Sequence, residues 1–140
     1  MQVKLNHQEN LHFKASVRNF ENFDLDEPKS FHGTDFGPSP VEYLLIGIGG
    51  CLGSSFMYCL IKNAIKITNL EIVIEGKIKH VSPSLRLKLV GVDIKILYGL
   101  EDKSFKEKTM RCINEFKQHC VVSDSLINGI SLNIDCKELF

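Results

Sequence analysis

Val3 and Leu5, then Leu11, Phe13, Ala15 and Val17, alternate with Lys4, His12, Lys14, Ser16 and Arg18. Apolar positions at every second residue mark half-buried strands, because successive side chains leave a strand on opposite faces. The polar run Asn6 to Asn10 predicts the turn between two such strands. Phe23 and Leu25 predict a short third strand, ended by Asp26-Glu27-Pro28. Further along, Leu70, Ile72, Ile74, Gly76 and Ile78 alternate with Glu71, Val73, Glu75, Lys77 and Lys79. After a turn at Ser82-Pro83-Ser84 the apolar phase resumes at Leu85, Leu87 and Leu89, then moves to Val92, Ile94 and Ile96. A one-residue slip at Val90-Gly91 predicts a β-bulge in a hairpin of two long, twisted strands. Ile130, Leu132, Ile134 and Cys136 alternate with Ser131, Asn133 and Asp135, which predicts a final strand.

Two stretches carry a helical pattern. Residues 40 to 62 begin with Ser39 as an N-cap, Pro40 in the first turn and Glu42 at the positive end of the dipole. Leu44 to Ile61 then runs for 18 residues without a charge. That length is at the threshold for crossing a membrane. Gly47, Gly49, Gly50, Gly53, Ser54 and Ser55 dilute it, however, and the flanking strands belong to a water-facing sheet. The expectation is a helix buried on all sides, between sheet and a second subunit. The second helix is predicted to follow Ser104 as its N-cap, with Glu107 at the third helical position completing a capping box. Phe105, Thr109, Cys112, Ile113, Phe116 and Cys120 share one face at spacings of three and four. The expected order is β-β-β-α-β-β-α-β, an α+β fold over residues 1–140 as a single domain. Residues 28 to 40, with three of the four prolines plus Gly33 and Gly37, form the loop before the first helix.

Composition narrows the functional classes. Lys+Arg and Asp+Glu both number 17 and alternate in sign, so no basic stripe predicts nucleic-acid binding. The start, Met1-Gln-Val-Lys-Leu5, has no apolar run of a secretory signal, and the expected setting is cytoplasmic and off the membrane. In such a reducing setting five cysteines do not predict a disulfide framework. No CxxC occurs, and His7, His12, His32, His80 and His119 lack zinc-ligand spacing, so neither metal nor cofactor is expected.

Cys59, Cys112 and Cys136 sit on inward faces and read as small core hydrophobes. Cys51 and Cys120 have less ordinary settings. Cys51 follows Gly49-Gly50, which leave its sulfur uncovered, and Cys120 ends the second helix and leads into Ser123, Asp124 and Ser125. A pair of thiols has a defined chemistry. A thiolate attacks a peroxide O–O bond and becomes a sulfenic acid, which a second thiol converts to a disulfide. The first thiol needs a cation, hydrogen-bond donors or a helix N-terminus nearby, and arginine is the usual cation. His119 adjoins Cys120, but neighbours on a helix point about 100° apart, so it reads as a solvated C-terminal charge.

The run from Asp26-Glu27-Pro28 through Gly33-Thr34-Asp35 and Gly37-Pro38-Ser39-Pro40-Val41-Glu42 to Gly50-Cys51 resembles the signature of the OsmC/Ohr family, the osmotically inducible and organic hydroperoxide resistance proteins. Cys120-Val121-Val122-Ser123-Asp124-Ser125-Leu126 resembles that family's second-cysteine motif. With Val41 before Glu42, the chain looks closest to the uncharacterised OsmC-like branches. The resemblance implies an intertwined homodimer with long central helices packed between sheets, and a site at the interface. It implies Cys51 as the peroxide-reacting cysteine and Cys120 as the resolving one, with Glu42 and Arg18 as the candidate carboxylate and cation. The partners implied are a small-molecule hydroperoxide and an external dithiol reductant. The competing expectation is a non-catalytic dimer holding an apolar or thiol-containing small molecule in the interface pocket.

Overall fold

The computed structural model describes residues 1–139 and has an α+β architecture. The chain divides into two compact units, Met1–Gly47 and the part from Ile48 onward. In the first unit, β1 (Val3–His7), β2 (Phe13–Val17) and β3 (Phe20–Leu25) form an antiparallel sheet in the order β1-β2-β3. Val17 pairs with Phe20, so only Arg18 and Asn19 turn the chain, and Arg18 takes a left-handed φ of 54°. Arg18 is thus a turn residue rather than the strand-face charge that the alternation indicates.

Polar contacts, rather than apolar packing, hold the loop after β3. Asp26 is buried, and its carboxylate accepts from the backbone N–H of Glu27 (2.8 Å), Thr34 (3.1 Å) and Phe36 (3.1 Å) and from the Thr34 hydroxyl. Burial pushes its carboxyl up, but these four donors outweigh that and hold it below the usual carboxylate value. Buried His12 stacks on Phe36 at 5.1 Å and hydrogen bonds the Asp24 carboxylate at 2.7 Å. Gly33 closes the loop against the Glu27 carbonyl, where a Cβ would collide with backbone. Gly33→Ala is therefore expected to cost about 1–3 kcal/mol, with protease cleavage newly concentrated in residues 26–38. Unchanged melting and proteolysis would contradict this account of the loop.

Helix α1 (Pro40–Lys62) starts in the first unit and runs into the second. Its start is the expected capping box. The Ser39 N–H donates to the Glu42 carboxylate at 2.7 Å, and the Glu42 N–H donates to Ser39 Oγ at 3.3 Å. By length and composition α1 is apolar enough to cross a membrane. Its buried residues, Ile48, Gly49, Leu52, Gly53, Phe56, Cys59 and Leu60, nevertheless define one face rather than the whole circumference. Ile46, Tyr58 and Ile61 are exposed, so burial on all sides is not achieved within this chain.

In the second unit, β4 (Ile67–Val81) and β5 (Arg86–Leu100) pair antiparallel along their whole length. Lys77 pairs with Gly91 and Ile78 with Leu89, leaving Val90 as the extra residue of the bulge that the phase slip predicts. Gly49 and Gly53 of α1 sit on this ribbon, where a Cβ would meet Ile74 and Ile72. Phe56 is fully buried between Tyr98 (5.5 Å between ring centroids) and Phe116 (5.2 Å).

The second long helix, α2 (Lys106–His119), starts one residue later than a cap at Ser104 predicts, with Phe105 as its N-cap. Asp102 caps a short 3-10 turn over Lys103–Phe105 by accepting from the Ser104 N–H at 2.8 Å, and α2 continues from it. Thr109, Cys112 and Phe116 are its buried face, as the spacing predicts. Two expectations fail at the end of the chain. Val121–Asn128 forms a third helix, α3, rather than an irregular stretch. Residues 129–139 have no strand, so the order ends in α2-α3 rather than α-β. A strand exists only against a partner, and Ile130, Leu132 and Ile134 are exposed with no ladder beside them.

Candidate functional site

Two sulfurs meet in the second unit. Cys51 lies on α1, and Cys120 is the residue at which α2 ends and α3 begins. Their sulfurs are 3.1 Å apart, with the Cys120 thiol donating to Cys51 Sγ. The sequence separation of 69 residues is thus closed by the packing of α1 against the α2–α3 junction. Cys120 is 1% exposed, whereas Cys51 is partly open to solvent. A small molecule entering from solvent meets Cys51 first.

The electrostatics of the pair divide one proton unequally. For Cys51, the Val122 N–H favours the thiolate. The adjacent Cys120 thiol and burial outweigh it, and the net shift is upward despite further help from the Ser55 hydroxyl. For Cys120, burial pushes upward. The Ser123 hydroxyl and N–H, with Cys51 and the Val122 N–H, outweigh it and hold the thiol below its ordinary value. The physical source is the start of α3, where Cys120 makes no side-chain cap hydrogen bond and the nearby Val122 and Ser123 N–H groups, without partners inside the helix, favour a thiolate. The two thiols titrate as one system.

One thiolate is therefore expected below the usual thiol range and a second above it. In protein carrying Cys136→Ser, which removes the third free cysteine, ultraviolet titration of thiolate absorbance should resolve two steps, and Cys120→Ser should delete the lower. A single step at the ordinary cysteine value would rule out the coupling. The stability signs are opposite. The depressed Cys120 stabilises the fold above the unfolded thiol pKa, an effect lost as pH falls through the folded value. The raised Cys51 stabilises it below the unfolded pKa, an effect lost as pH rises through the folded value.

The other candidates lie in the first unit. Glu42 is occupied in its capping box with Ser39. The Arg18 guanidinium sits 5.1 Å from the Phe20 ring centroid, beside a groove bordered by Lys4 and Glu21. Among the described residues no cluster of three or more His, Cys, Asp or Glu side chains is placed to hold a metal.

Sequence reasoning passed over two features. One is the pair of N–H groups at Val122 and Ser123, which a helix starting directly after Cys120 would have signalled. The other is Cys59 with Cys112, which are core residues as expected but are joined by a disulfide. The repeated eight-residue spacing, Cys51 to Cys59 and Cys112 to Cys120, was its available signal.

The family model described as OsmC-like protein matches residues 32–135. No curated protein matches the chain significantly. Among solved structures, the chain is similar to the OsmC-like protein of Mycoplasma pneumoniae, with 17% identity over 90% of this chain and 86% of that one, at a TM-score of 0.75. It is also similar to the organic hydroperoxide resistance protein OsmC of Legionella pneumophila, with 17% identity over 89% and 87% and a TM-score of 0.63. A third likeness is to the organic hydroperoxide resistance protein OhrB of Bacillus subtilis, with 16% identity over 89% and 90% and a TM-score of 0.60. At these identities the likeness is one of fold.

Proposed function

The chain belongs to the OsmC-like family, and from that premise we propose that it is a thiol-dependent peroxidase of organic hydroperoxides, acting as one OsmC-like domain through Cys51 and Cys120. The observation that carries the reading is the 3.1 Å separation of the two sulfurs, one reachable and one buried behind it. Two of the similar proteins are named for organic hydroperoxide resistance, which accords with it.

The pair shares one proton, which at rest favours Cys51. Its transfer to the Cys120 sulfur across 3.1 Å makes Cys51 the thiolate that reacts, with the Val122 N–H and Ser55 hydroxyl favouring that form. That sulfur attacks the outer peroxide oxygen, the O–O bond breaks, and the alkoxide takes a proton to leave as the alcohol. Cys51 is then a sulfenic acid. The Cys120 thiolate, formed at the start of α3, attacks the Cys51 sulfur, and hydroxide leaves as water on gaining a proton. An external dithiol reduces the resulting disulfide.

The apolar surface left open supports a homodimer. Ile46 and Ile61 on α1, and Val73, Ile94 and Leu97 on the β4–β5 ribbon, have no cover within the chain. The alternation in residues 130–136 is the pattern of a strand that pairs with a second copy. Sedimentation should give twice the 15.8 kDa mass of the chain. The direct test is steady consumption of cumene hydroperoxide with a dithiol as electron donor. A second reading, a dimer that binds an apolar or thiol-containing molecule without turnover, rests on the upward shift of Cys51. It predicts retained ligand and no consumption.

A further inference from the structure

Cys59 and Cys112 form a second rung between the same two helices that carry Cys51 and Cys120. Each cysteine of this rung is eight residues from a cysteine of the first, so the rungs are about 12 Å apart along the helices. Sulfur cannot pass from one rung to the other by direct exchange, which requires contact between the attacking and attacked sulfurs. The second rung is closed, with Cα atoms 5.6 Å apart.

Beside it, α1 and α2 leave a cleft of about 480 Å³, within the range of small-molecule sites. Cys59 borders this cleft and Cys112 does not. Phe116 supplies an apolar wall, and Ser54, Tyr58, Glu115 and His119 supply polar groups. The cleft and one contact give the rung a direction. Cys59 Sγ lies 3.5 Å from Glu115 Oε2, so a negatively charged thiolate approaching Cys59 is repelled and one carrying an ammonium group is drawn in. The Asn63 amide lies 3.6 Å from Cys59 Sγ and 3.7 Å from Cys112 Sγ, so it can donate to whichever sulfur departs. The same amide donates to the Cys59 carbonyl at 2.8 Å, which fixes it there.

We propose that Cys59–Cys112 is a second redox site, opened at Cys59 by a small aminothiol bound in the cleft between α1 and α2. The thiolate of the aminothiol attacks Cys59 Sγ. A sulfur–sulfur bond forms to Cys59 as the Cys59–Cys112 bond breaks, and Cys112 leaves as thiolate beside Asn63. The proton lost by the aminothiol is returned to Cys112 from solvent. A second aminothiol releases the first as its symmetrical disulfide and leaves Cys59 reduced, so two thiols are oxidised as one protein disulfide is reduced. This site does not depend on the peroxide chemistry of the first rung.

The test uses full-length protein carrying Cys51→Ser, Cys120→Ser and Cys136→Ser, in which only the second rung remains. Folded protein is treated with cysteamine or with mercaptopropionate, quenched in acid and weighed intact. The expected result is a gain of one whole thiol molecule, mapped to Cys59. Cysteamine should react about five- to tenfold faster than mercaptopropionate, relative to their rates with a small disulfide in solution. Glu115→Gln should return that ratio to the solution value, a change that loss of packing would not produce. If the rung is isolated as two thiols, cystamine is used instead, and the adduct is again expected at Cys59. Should the triple variant fail to fold, Cys136→Ser alone with peptide mapping gives the same readout. Opening only in denaturant, an adduct at Cys112, or no charge preference in the parent protein would overturn the proposal.

Discussion

Cys51→Ser is expected to slow consumption of an organic hydroperoxide by a factor of about 10³ or more, to the rate of buffer with reductant. A serine hydroxyl does not ionise at working pH, and its oxygen is a poor nucleophile toward a peroxide. Nothing else at the site replaces the sulfur, because Cys120 is buried behind it. Cys120→Ser should behave differently. It should reduce about one equivalent of peroxide per subunit and then stall, with a sulfenic acid on Cys51 that dimedone traps. The order of events is thereby exposed to refutation. Undiminished consumption by Cys51→Ser would end the peroxidase reading. A first turnover lost in Cys120→Ser but kept in Cys51→Ser would exchange the two roles, in line with the lower pKa of Cys120.

Phe56→Ala carries the largest expected loss of stability, about 3–5 kcal/mol. The ring is 0% exposed and lies between Tyr98 of β5 and Phe116 of α2. Its removal opens a cavity at the point where helix, ribbon and helix meet, and the close seats of Gly49 and Gly53 on β4 prevent α1 from settling inward to fill it. Since a domain has only about 5–15 kcal/mol in hand, the variant should sit near the edge of folding. Urea unfolding should give a lower midpoint with an unchanged slope. A loss below about 1 kcal/mol would mean that this core is not where the structure puts it.

Much of this architecture was legible in the sequence because local rules decide it. Ser39, Pro40 and Glu42 define the start of α1 through contacts within four residues, and the structure keeps that start and its capping box. The bulge at Val90 was readable because a period of two cannot absorb an extra residue without inverting its faces. The failures share a different cause. Whether residues 130–136 form a strand depends on a partner that local pattern cannot supply. The α2 start shifted because Asp102 offered the 3-10 turn a better cap than Ser104 offered the helix. Cys51 and Cys120 were identifiable by motif, but their proton sharing was not, since it arises from N–H groups of a helix the alternation did not predict. Arg18 fell in a tight turn because Val17 and Phe20 pair directly across it.

Cys120 joins two helices as well as two sulfurs. Its sulfur stands at the first turn of α3, beside the N–H groups of Val122 and Ser123. As a thiolate it brings a negative charge to the positive end of that helix, and as half of a disulfide it brings none. A change of charge on this sulfur therefore acts on the same eight residues, Val121–Asn128. Val121, Leu126 and Ile127 are exposed on α3, so one short helix lies between the buried sulfur and the solvent.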